Sequence, residues 1–173
     1  SREEGRKRVW GLNSKGLLVE GGHLRDFQAP YARPQREVAV WQLEEAGKIG
    51  LRDVVFNVHP TMIIGTSAQP RSFTEEIVRH LAETNERPII MALSNPTKKS
   101  EAIPEDLIKW TDGRALISTG SPFAPVDYQG TSFEIAQGNN ALVFPGIGLG
   151  FLCCKPTKVS DKMIASSAST VAL

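Results

Sequence analysis

The chain has 173 residues, of which 40% are hydrophobic and 23% charged, and a formal net charge of +1. That is long enough for one domain with a real core and too apolar for a disordered segment. It is also too evenly charged to carry the electrostatic footprint of a nucleic-acid binder or of a protein held on an anionic membrane.

The charged opening, SREEGRKRVW, lacks the apolar segment of a signal peptide. RVWGLNSKGLLV follows as a strand, a turn at Asn13–Gly16 and a short apolar continuation. From Glu20 to about Gly50 the signal is weak: a surface excursion closing on a helix, with Pro30 and Pro34 excluding a regular element between them. LRDVVFNVHP then reads as a helix that stops before Pro60. TMIIGTS is a short apolar run with a small polar end. SFTEEIVRHLAETN is an amphipathic helix with Ser72 and Glu75 in capping-box register and Ile77, Val78 and Leu81 on one face. RPIIMALSN repeats the apolar run with a polar end, and PEDLIKWTDG, with its leading proline and acids, is a short helix. RALISTGS is a third such run. Asp127-Tyr128 sits in a hairpin turn containing Gly130, a helix starts near Pro145 in FPGIGLGFLCC, and SDKMIASSASTVAL is a last helical segment.

Short apolar strands alternating with amphipathic helices predict an α/β domain, a doubly wound parallel sheet covered on both faces. The longest apolar run, ALVFPGIGLGFLCC, is broken by Pro145 and is shorter than the roughly 20 residues that span a bilayer. The glycines of GIGLG read as close helix packing, since no G-x-G-x-x-G follows a strand. Adjacent Cys153 and Cys154 have neither disulfide nor zinc spacing, so they read as reduced, buried thiols of an intracellular protein.

Three strands end alike, on Gly65-Thr66-Ser67, Ser94-Asn95-Pro96 and Thr119-Gly120-Ser121. Ligands of doubly wound sheets bind beyond the carboxyl ends of the strands, where small residues admit a planar cofactor and hydroxyls and amides orient it. Each loop alone is an ordinary turn; three at equivalent edges indicate a site. Asn95 could close an Asx turn or donate to a substrate oxygen. Asn139 and Asn140 could cap a helix or point donors at an anion, an even choice on physical grounds. His23, His59 and His80 are scattered and read as surface or helix-end residues. Glu75-Glu76 and Glu105-Asp106 lie in first helical turns and read as structural.

ERPIIMALSNPTKKSEA, WTDGRALISTGSPFAPV, IAQGNNALVFPGIGLG and IIGTSAQPRSFTEEI closely resemble the C-terminal part of the NAD(P)-binding domain of malic enzymes, the bacterial NAD type above all. The likeness runs from about Arg8 to the C-terminus. Such enzymes oxidise and decarboxylate L-malate to pyruvate and carbon dioxide with NAD or NADP and a divalent metal, Mg²⁺ or Mn²⁺. The resemblance implies that Asn95 contacts malate and the nearby nicotinamide, and that Asn139 and Asn140 hold malate oxygens, with the direct contact open between the two. It implies that Gly65, Thr66, Ser67, Ser94, Gly120 and Ser121 line the dinucleotide cleft.

On the same resemblance, the first strand, the glycine-rich phosphate loop, the tyrosine acid, the lysine base and the acidic metal ligands would lie upstream of residue 1. Residues 1–173 are then a partial cofactor domain with no catalytic or metal-ligating residue of its own, inactive by itself. The alternative is a non-catalytic dinucleotide-binding or scaffold domain of the same origin. The family's ribose-binding Asp is matched here by Asn13, with Lys15 nearby. Loss of that carboxylate removes a charge-assisted bond and also the repulsion of a 2′-phosphate. NAD is nevertheless preferred, on the bacterial NAD-type blocks, with NADP as the second choice. The complete enzyme is expected to be a cytoplasmic homo-oligomer, dimer or tetramer (in an organellar matrix if eukaryotic), with no nucleic-acid or membrane partner.

Overall fold

A computed structural model describes residues 2–172. The chain opens on α1 (Arg2–Lys7) and a two-rung antiparallel hairpin of β1 (Leu12–Asn13) and β2 (Gly16–Leu17). The weak region contains a 3-10 turn at Ala29–Tyr31, with Pro30 inside it, and only a four-residue helix, α2 (Gln35–Val38). Proline is tolerated in that first turn because its missing N–H has no intrahelical partner there.

From Gly50 onward the elements follow the predicted order: α3 (Leu51–Val58), β3 (Met62–Gly65), α4 (Glu75–Thr84), β4 (Ile89–Ala92), α5 (Pro104–Trp110) and β5 (Leu116–Thr119). A hairpin of β6 (Val126–Tyr128) and β7 (Thr131–Phe133) turns at Gln129-Gly130, and β8 (Ala136–Gln137) completes the sheet. The sheet is parallel in the order β3-β4-β5-β8, with Ile63, Ile90 and Ile117 in register across its centre.

Local chemistry explains the helix ends. Asp53 starts α3 by accepting the Gly50 N–H (2.8 Å) and the Glu44 N–H (2.9 Å), and left-handed His59 stops it, bonding Val55 O. The cap of α4 is Thr74, whose hydroxyl accepts the Ile77 N–H, and not the predicted Ser72 box. Glu75 then falls in the first turn of the helix and cannot occupy the third position that a capping box requires. Arg52 joins α3 to α4 through two-pronged bonds to Glu76, the shortest 2.7 Å.

The core lies on one face of the sheet. Ile63, Ile90 and Ala92 pack with Val55 of α3, Ile77, Val78 and Leu81 of α4, and Leu107 of α5. Burying a side chain such as Leu81 contributes about 1.5–3 kcal/mol. The other face differs from expectation: Met62, Ile64 and Leu116 are 39%, 56% and 44% exposed, beside half-buried Ile89 and Met91. Helices therefore cover one side, and the second remains open among the described residues. The continuous apolar character of these strands, which suits burial on both faces, is satisfied only by half.

The C-terminal helices α6 (Phe144–Cys154) and α7 (Asp161–Val171) bury no residue. Two expectations fail here. Cys153 and Cys154 are free but exposed, and a Cβ on Gly146, Gly148 or Gly150 would meet nothing within 4 Å, so GIGLG is not a close-packing stripe. No described helix is long and apolar enough to cross a membrane.

Candidate functional site at the rim of the parallel sheet

Parallel pairing places the ends of β3, β4 and β5 side by side, so Gly65-Thr66-Ser67, Ser94-Asn95 and Gly120-Ser121 form one rim. Side chains stitch them together. The Ser121 hydroxyl donates to Asn95 Oδ1 at 2.5 Å, joining the ends of β4 and β5. This bond leaves the Asn95 Nδ2 donors on an exposed residue. The peptide between Asn95 and Pro96 is cis.

Asn139 reaches the same place from β8: its Nδ2 donates to Gly120 O (3.2 Å), beside Gln137 Nε2, which donates to the same oxygen (3.2 Å). Asn139 Oδ1 also accepts the Ala141 N–H (2.9 Å) and caps the 3-10 turn Asn140–Leu142. Of the two roles left open for this pair, Asn139 performs the capping one. Asn140 is exposed on the first residue of that turn. Gly120 and Ser121 thus hold Asn95 on one side and Asn139 on the other, and the rim is open.

The rim glycines have a packing cause. A Cβ on Gly120 would lie 2.1 Å from Leu93 O and 3.0 Å from Asn95 Nδ2, and one on Gly65 would lie 2.5 Å from the Glu101 side chain. Sequence reasoning attributed these small residues to the approach of a planar cofactor; neighbouring protein atoms already require them.

Glu101 is the residue the sequence reading missed. It is fully buried, yet its carboxylate accepts the Ser67 N–H (2.9 Å), the Ser67 hydroxyl (3.2 Å), the Ser94 hydroxyl (2.5 Å) and the Ser94 N–H (3.3 Å). Ser94 Oγ in turn accepts the Ala68 N–H (2.8 Å), so its own proton is directed to Glu101. Every partner is a donor, which suits an ionised carboxylate. Burial pushes the Glu101 pKa up. The Ser94 hydroxyl bond and the N–H groups of Glu101, Ser67 and Ser94 outweigh that and hold it below the ordinary 4.5. Glu101 follows Lys98-Lys99-Ser100, outside any periodic element, so only its acidic type just ahead of a proline-led helix could have marked it.

Asn13 is not brought to this rim by sheet pairing. It ends β1, which pairs with β2 alone, and its Oδ1 accepts the Lys15 N–H (2.8 Å) in an exposed Asx turn. The histidines are not all scattered: His59 Nδ1 and His80 Nε2 are 3.0 Å apart, and His80 stacks on Phe56 with ring centroids 3.9 Å apart. Among the described residues no three His, Cys, Asp or Glu side chains form a group that could hold a metal ion.

Parallel strands whose polar carboxyl ends meet at one edge, flanked by helices, define a Rossmann-like NAD-binding domain. The family model described as "Malic enzyme, NAD binding domain" matches residues 1–173, and the chain belongs to that family. It is 50% identical over 99% of its length to NAD-dependent malic enzyme 3 of Bacillus subtilis (strain 168), covering 31% of that protein. It is likewise 48% identical over 99% of its length to the NAD-dependent malic enzyme of Sodalis glossinidius, and 50% identical over 98% to that of Acinetobacter baylyi, covering 30% of each. The chain therefore spans about 30% of the length of these relatives.

Proposed function

We propose that this chain supplies the cofactor cleft and the substrate-orienting amides of an NAD-dependent malic enzyme, which converts L-malate to pyruvate and carbon dioxide in the cytoplasm. The observation that carries this is the convergence of Asn95 and Asn139 on Gly120-Ser121 at the open carboxyl edge of the sheet. Asn95 Nδ2 donates to a malate oxygen while Ser121 fixes the carboxamide from behind. Asn140, exposed on the loop after β8, is the second donor to malate. Asn139, already bonded through both ends of its amide, holds the loop.

NAD fits the residues present. Exposed Thr66 at the end of β3 and Asn95 at the end of β4 offer a hydroxyl and an amide to a nicotinamide nucleotide, with Gly120-Ser121 at the end of β5, on the far side of Asn95 from Thr66. When bound, NAD supplies the hydride acceptor. The residues of this chain position it and malate, and catalyse by orientation with no proton transfer of their own. The described residues hold no metal-ligand group, so no step is assigned to a metal here. Asn13 stands on the separate β1-β2 hairpin with its Oδ1 already accepting the Lys15 N–H, so no contact to the adenosine ribose is assigned to it.

In the full-length protein, Asn95→Ala is expected to lower malate kcat/KM by on the order of 10²-fold, the scale of a lost orienting contact, with the fold intact by far-UV circular dichroism. Steady-state kinetics at saturating NAD decide it, and unchanged malate kinetics would remove Asn95 from the site.

A further inference from the structure

Glu101 is a buried carboxylate to which the orienting mechanism assigns no task. Its oxygens take donors from two rim segments at once: Ser67, just beyond β3, and Ser94, just beyond β4 and directly before Asn95. The Ala68 N–H bond to Ser94 Oγ closes the same cluster (2.8 Å). The Glu101 main chain adds a further tie, since its O accepts the Phe73 N–H (3.1 Å) and fastens the loop that follows Ser67. Gly65 has no room for a Cβ because Glu101 lies against it. Asn95 thus stands between two anchors. Its side chain is held by Ser121, and the residue before it is held by Glu101.

We propose that Glu101 is a positioning residue for Asn95: by clamping the Ser67 and Ser94 segments together, its carboxylate sets where the Asn95 carboxamide stands toward the substrate. The proposal deepens the functional reading above and rests on it. Geometry makes the carboxylate necessary. Both main-chain N–H groups can only donate, and both serine hydroxyls are directed inward as donors, so the group that meets them must accept on both oxygens. A glutamine of the same shape replaces one acceptor with an NH₂ facing those donors and leaves one of them unpaired.

The test is a double-mutant cycle in the full-length protein: Glu101→Gln, Asn95→Ala and both together, read as malate kcat and KM with NAD saturating, at a temperature well below the melting transition of every variant. The expected result is that Glu101→Gln lowers malate kcat/KM by roughly tenfold or more beside Asn95 but by less than about twofold in the Asn95→Ala background, because its effect passes through Asn95. An equal loss in both backgrounds overturns the proposal, since Glu101 then acts independently. So does wild-type malate kinetics for Glu101→Gln alone. Should Asn95→Ala itself leave malate kinetics unchanged, the functional reading fails first, and Glu101 has no Asn95 role to support. If Glu101→Gln does not accumulate folded, Glu101→Asp replaces it with the same expected pattern, because it keeps the charge but withdraws it by one methylene from Ser67 and Ser94.

Discussion

Asn95 and Glu101 share one loop and divide its work by environment. Asn95 is exposed and offers its Nδ2 donors at the rim; Glu101 is sealed, and both its oxygens meet donors. The sequence singled out the first through three strands with similar polar ends and through its family resemblance, since the Ser-Asn-Pro end alone reads as an ordinary turn. It missed the second, because burial of a lone acid follows from packing and not from any local pattern. Glu101 carries a pH consequence. Its folded-state pKa lies below the ordinary 4.5, as does that of Glu76, chiefly through its bond to Arg52. A carboxylate with a depressed folded pKa gives stability that is fully present above its unfolded value and is lost as pH falls through the folded one. Stability should therefore decline below about pH 4.5, and Glu101→Gln should show a flatter decline over that window. Thermal melts of the two proteins from pH 7 to pH 3 check this; parallel curves would mean that folding does not lower the Glu101 pKa.

At the scale of elements, α3, α4 and α5 were legible because their apolar residues recur at helical spacing and their starts and stops carry capping chemistry. The choice of Thr74 over Ser72 as the α4 cap was not legible, since both residues suit the position. The Gly-rich helix α6 was read correctly as a helix and incorrectly as a packed one. Its glycines meet nothing within 4 Å and none has a positive φ, so Gly148→Ala has room and suits the helix backbone. In this chain that substitution should stabilise α6 by about 0.5–1 kcal/mol, through the lower backbone entropy of alanine. Circular dichroism melts provide the check. Destabilisation would show that Gly148 is packed in solution.

For the whole molecule, a sheet with helices on one side leaves Met62, Ile64 and Leu116 facing outward. An apolar face of this kind binds hydrophobic dyes and promotes association. Replacing Ile64 with lysine should lower the fluorescence of an anilinonaphthalene sulfonate dye on the chain and raise the fraction eluting as monomer, with little loss of stability; unchanged dye binding would place the face under cover. The purified chain is also expected to show no malate decarboxylation with NAD and Mg²⁺ or Mn²⁺, because it spans only about 30% of the length of its malic-enzyme relatives and the amides proposed to orient malate transfer no proton. Product assays with contamination excluded decide this, and metal-dependent turnover would contradict it.

From α3 to β5 the order of strands and helices, together with the parallel sheet and the polar strand ends, was determined by sequence alone, because hydrophobic periodicity and turn chemistry act over a few neighbouring residues; α1 and the two-residue β8 carry no such pattern. The meeting of Asn95, Ser121, Gly120 and Asn139, the burial of Glu101, the His59–His80 contact and the open face were decided only by tertiary structure. Each depends on which strands lie side by side and which surface a helix covers, and residues far apart in the chain settle both.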